Sequence, residues 1–109
     1  MKSNKIIELF VKECAESAVQ QSGEKFVGWE SLIAVLVYQG LKLLLPQIKE
    51  WFKLGTAVMD LKRQEIKKKL VQYAVEKELD FPQAERAAEV VSNRLDDNTL
   101  KDIVDALAN

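Results

Sequence analysis

The sequence predicts an all-α protein, a compact helical bundle of four to six helices. Three observations carry that reading. Only four glycines and two prolines interrupt 109 residues, too few for a many-turned β fold. Apolar residues recur at spacings of three and four along most of the chain, as on one face of a helix. Cap-forming residues and glycines fall where those periodic runs begin and end. Apolar residues make up 48% and charged residues 30% of the chain, enough of each for a core and a solvated surface. The length suits one domain, residues 1–109, which can bury a usable core without metals or disulfides.

The first helix is expected over 4–21. Ile7, Phe10, Val11, Cys14 and Ala18 form its stripe, and Ser3 or Asn4 can accept a free N–H of the first turn. Gly23 is placed to stop it, because glycine tolerates the left-handed conformation past a helix end. Residues 22–28 read as a loop. Ser31 to Leu45 is the most apolar segment and the expected central helix. Leu32–Tyr38 alone would also suit a buried strand, but the apolar character runs on through Leu41 and Leu43–Leu45, and that length favours a helix. Pro46 either kinks this helix or opens a new one; helical character continues to Leu54, and Gly55 ends it.

The third long helix is expected over 57–79, capped by Thr56. Met59, Ile66, Leu70 and Tyr73 line one face. Leu61, Val75 and Leu79 form a second, narrower strip on the far side, with Lys68 among them, and two strips imply two neighbours. Asp80-Phe81-Pro82-Gln83 is a start signal: Asp80 can cap, and Gln83 can reach back as in a capping box. Phe81, Ala84, Ala88, Val91 and Leu95 line the helix that follows. Asp96-Asp97-Asn98 caps a last short helix carrying Leu100, Ile103, Val104 and Leu107. The best internal seam lies near Gly55, with an apolar helical hairpin over 1–55 and a three-helix half over 56–109.

The chemistry is defined mostly by absences. There is no histidine, which removes the usual general base, the Ser-His and Cys-His nucleophile pairs and the commonest metal ligand. A single cysteine makes neither an intramolecular disulfide nor a thiolate zinc site. Cys14, in the middle of an apolar stripe, reads as a small buried hydrophobe. A reducing, cytoplasmic setting is the simplest expectation, and no signal peptide is evident. The Asp96-Asp97-Asn98 run lacks EF-hand spacing. The four glycines stand singly, so no phosphate-cradling loop is present. No residue is nominated as catalytic, cofactor-binding or metal-ligating, and no cofactor is expected.

Charge is unevenly placed. Residues 1–75 carry a net of +4 and residues 76–109 a net of −5, a polarity that can steer self-association head against tail. Lys62, Arg63, Lys67, Lys68 and Lys69 form the one basic cluster, a weak candidate for an anionic surface. It has no interleaved aromatic and no basic recognition helix, so nucleic acid is disfavoured as a partner. The leading expectation is a non-catalytic helical interaction or self-assembly module, binding itself or a foreign protein through Leu61, Lys68, Val75 and Leu79.

The alternative is a membrane-associated protein. Trp29 and Trp51 would stand roughly 33 Å apart on a straight helix, close to a bilayer core. Lys42 would then lie near mid-span, at a cost of about 3 kcal/mol. The order of apolar segment, Lys-rich helix and short acidic-capped final helix (Asp97 through Asp102 to Val104) resembles in layout the small single-span phage holins. That likeness covers about the last two-thirds of the chain and implies a small holin-like or peripheral membrane protein. Gln39, Gly40 and Lys42 interrupt the apolar segment and depart from that layout, and a buried core helix is the favoured expectation.

Overall fold

The computed structural model describes residues 2–23, 28–55 and 57–108. Among them are α1 (Lys2–Ser22), α2 (Trp29–Val35), which runs on as a π-helical segment Leu36–Leu41, α3 (Leu45–Leu54), α4 (Val58–Glu76), α5 (Phe81–Arg94) and α6 (Asp97–Ala108). The described residues contain no strand, and the all-α bundle expected from the sequence is what forms. The radius of gyration is 13.1 Å, the value expected of a folded domain of this length. Two expected caps, Thr56 and the side chains of Ser3 and Asn4, lie outside the described residues, as does most of the expected loop, residues 24–27.

The apolar stripe of α1 is buried as its spacing predicts. Ile7, Phe10, Val11, Cys14 and Ala18 all face the core, and Gly23, at φ +68°, closes the helix by donating to Val19 O at 3.0 Å. The core is continuous across Gly55: α1 packs on α2, α5 and α6, while α4 packs on α5 and on the π-helical segment.

The central helix starts two residues earlier than its sequence pattern suggests and changes pitch inside. Leu36, Val37, Gly40 and Leu41 of the π-helical segment are buried. Gly40 lies so close to α4 that an added Cβ would stand 2.8 Å from Leu70 Cδ2. A Cβ there would require the end of the Leu70 side chain to shift. Beside it, the Tyr73 hydroxyl donates to Gln39 Oε1.

Pro46 separates two helices. It sits in the first turn of α3, where its missing N–H costs nothing, and its ring excludes continuation from Lys42. The axes on either side of the break differ by 66°. No single helix among the described residues is long and apolar enough to cross a membrane; the segments Trp29–Leu41 and Leu45–Leu54 meet that criterion only as this bent pair.

α4 ends at Glu76, earlier than expected, in a Schellman turn. Glu78 takes the left-handed conformation (φ 58°), Glu78 N–H donates to Val75 O and Leu79 N–H donates to Ala74 O, the paired bonds that satisfy the last carbonyls of a helix. Leu79 therefore leaves the helical strip assigned to it and folds back, half-buried, against the core. The capping box at the next helix also differs from expectation. Asp80 makes no side-chain cap bond; the Gln83 amide, oriented nitrogen inward, donates to Asp80 Oδ2 at 3.0 Å.

Candidate functional site

The first turns of α4 are completed by residues remote in sequence. Ala57 precedes the helix in the left-handed region (φ 64°) and offers no side-chain cap. The carboxylate of Asp97 supplies one: Oδ1 accepts Met59 N–H at 2.7 Å and Oδ2 accepts Val58 N–H at 3.0 Å. An anion at this end also suits the helix dipole. One turn along, the Arg63 guanidinium donates to Ser92 O and to Leu95 O, the latter at 3.0 Å. Ser92 O lies in the last turn of α5, where carbonyls lack partners within their own helix. The α5–α6 turn is thus fastened to α4 at two points.

Asp96 caps α6 itself, its Oδ1 accepting Thr99 N–H at 2.7 Å. The sequence run Asp96-Asp97-Asn98 was expected to cap one helix; its two carboxylates cap two. The Thr99 backbone N–H, followed by the Thr99 side chain, holds the Asp96 carboxyl below its ordinary value of 3.8. A depressed folded value means that the contribution to stability is present above the unfolded value and lost as pH falls through the folded one. Asp96→Asn keeps a capping oxygen but cannot titrate. In urea titrations from pH 6 to pH 2, its unfolding free energy should fall less steeply than wild type's below pH 4; parallel curves would refute the assignment.

Cys14 is fully buried, and burial pushes its thiol up to about 12. The thiolate is the reactive form, so the native chain should label with a thiol reagent only as fast as it unfolds. Labelling of the folded chain as fast as a free thiol would contradict this placement.

α3 is the least embedded helix. It buries Leu45 and Ile48 and half-buries Trp51 and Phe52, but the helix-on-helix packing of the bundle is carried by the other elements. A hollow opens on each side of it. One, of about 330 Å³, is lined by Trp51, Leu54, Val58, Leu61 and Lys62. The other, of about 590 Å³, is a cleft between α3 and α6, with Phe52 and Val104 in its lining and Lys49, Lys53 and Lys101 around them.

The residues nominated from the sequence divide between these features. Leu61 is 78% exposed and borders the first hollow; Val75 is 54% exposed. Lys68 stands exposed between them and Leu79 is folded away, so Leu61 and Val75, about 21 Å apart along the helix, form no continuous apolar strip. The basic cluster is likewise divided. Arg63 is engaged on the α5 terminus, and Lys62 lies over the Trp51 ring at 5.2 Å, a cation–π contact. Lys67 is half-buried, and Lys68 and Lys69 are exposed. The sequence reading missed Leu54, which is 84% exposed; its signal was a leucine one residue before the Gly55 stop, off the buried face of α3.

Set beside family models, curated proteins and solved structures, the chain matches none of them.

Proposed function

We propose that this chain is a non-catalytic helical module that assembles with copies of itself, and that α3 is its contact element. The observation that carries the reading is the apolar corner where α3 meets α4. Leu54 and Leu61 are the two most exposed large apolar side chains among the described residues, and both border one hollow with Trp51. Covering a leucine side chain contributes about 1.5–3 kcal/mol, and clustered exposed apolar residues beside an aromatic are the composition of an interface centre. The apolar residues Ile33, Leu36, Val37 and Leu41 of the central helix are fully buried within the bundle, which favours this reading over a membrane-associated one. The expected setting is a reducing, cytoplasmic one, since the lone cysteine is a buried thiol.

The test is the solution mass by light scattering in detergent-free buffer. The wild-type chain is expected above its 12.4 kDa monomer mass. Combined Leu54→Asp and Leu61→Asp should lower its mass toward that of the monomer while the circular-dichroism spectrum stays helical, because both side chains are exposed. Val75→Asp, at the far end of α4, should leave the mass unaltered. A wild-type chain that stays monomeric at about 1 mM would refute self-assembly, since such a contact would be weaker than any specific one of this size.

A further inference from the structure

The cleft between α3 and α6 has a charged rim and an apolar floor. Lys49, Lys53 and Lys101 surround Phe52 and Val104. Two aspartates also border it, Asp97 and Asp105. Asp97 has both carboxylate oxygens accepting from the Val58 and Met59 N–H groups, so it is engaged at the start of α4, and three lysines face Asp105 in the rest of the lining. Lys53 meets Glu50 at 3.5 Å, but both side chains are largely exposed, and such a pair exchanges readily for another. The cleft therefore suits a partner that brings an apolar side chain flanked by carboxylates.

The same chain carries a surface of that composition. At the corner where α4 turns into α5, Glu76, Glu78, Asp80 and Glu85 are exposed, with Lys77 the one opposing charge among residues 76–85. Phe81 stands among them, 49% exposed. The corner is set in shape by the Schellman turn at Glu78 and by Pro82 in the first turn of α5, so little order is lost when it docks. The cleft adjoins the start of α4, through Asp97, and the acidic corner lies at its end. The 19 residues of α4 separate the two by about 28 Å, so a chain cannot fill its own cleft.

We infer that the occupant of the α3–α6 cleft is the acidic α4–α5 corner of a second copy, with Phe81 entering over Phe52 and Val104 and the carboxylates meeting Lys49, Lys53 and Lys101. This inference rests on the self-assembly reading above. The contact is heterologous: each copy offers one cleft and one corner. It also gives the uneven charge of the chain a use, since Lys49 and Lys53 of the basic first part meet the acidic second part of a neighbour.

Two variants separate the surfaces. One neutralises the cleft (Lys49→Gln, Lys53→Gln, Lys101→Gln); the other disables the corner (Glu76→Gln, Phe81→Ser, Glu85→Gln). Circular-dichroism melts check that each folds, and all six side chains are exposed. Sedimentation of each variant alone should show self-association weakened at least about tenfold. An equimolar mixture should form a mixed complex more tightly than either variant associates with itself, because the first variant keeps an intact corner and the second an intact cleft. A mixture that associates no more tightly than the separate variants overturns the pairing. Two variants that assemble as wild type does also overturn it, while leaving self-assembly through Leu54 and Leu61 standing. A monomeric wild-type chain overturns both readings together.

Discussion

Arg63→Met is expected to lower the free energy of unfolding by about 3 kcal/mol. The guanidinium is the donor for Ser92 O and Leu95 O, and α5 has no local substitute. Its C-terminus carries no glycine; Leu95 leaves the helix in extended geometry. Without Arg63, two partly buried carbonyls face methionine, and each loses a charge-assisted bond. Methionine keeps the apolar stem, so the loss reports the bonds and not the packing. Both bonds come from one nitrogen, Nη1; Arg63→Lys should recover only part of the loss, because the ammonium sits on a shorter, more flexible stem. Urea titration gives the measurement, with Lys68→Met on the exposed face of the same helix as control, expected within about 0.5 kcal/mol of wild type. A loss below about 1 kcal/mol for Arg63→Met would show that water replaces the guanidinium at those carbonyls.

Asp97→Ala should lower stability by about 2 kcal/mol, the upper end of what a lost helix cap costs. Its two oxygens satisfy two N–H groups of α4, and alanine offers neither acceptor nor charge. Asp97→Asn keeps one acceptor oxygen and should lose about half as much. The location of the damage matters as much as its size. Asp97 is itself the first residue of α6, yet the effect should appear in amide exchange as fraying of Val58 and Met59, 39 and 38 positions away. Fraying confined to α6 would refute the cross-chain cap. Because Arg63 and Asp97 fasten the same turn to the same helix, the double variant should lose less than the two separate losses combined.

These contacts mark the boundary of what the sequence discloses. Periodicity finds the buried stripes of α1, of α4 through Met59, Ile66, Leu70 and Tyr73, and of α6 through Leu100, Ile103 and Val104, because a helix face is a local property. Gly23 and Pro46 also act where they stand. The π-helical segment is not legible, since no local pattern marks it; within it Gly40 lies against Leu70, thirty residues distant. Arg63 reads as one of five similar cations, and only the fold puts two orphan carbonyls in front of it. The second strip fails for a related reason: a Schellman turn built on Glu78, a residue type with no turn signature, removes Leu79. Of the candidate surface, Leu61 was visible as an off-face leucine. Leu54 and Trp51 join it only because the chain reverses at Gly55.

The capping of α4 by Asp97 has a consequence for how the molecule comes into being. A chain made from its N-terminus forward exposes α4 while residue 97 has not yet been joined, so the helix has its sequence but not its beginning. α1, made before α4, waits longer still, because one of its faces is covered by α6. Such an order leaves little for the growing chain to fold as a separate early unit. α6 acts as the closing piece, and a ribosome stalled before it would hold a chain with both the α6-covered face of α1 and the start of α4 incomplete.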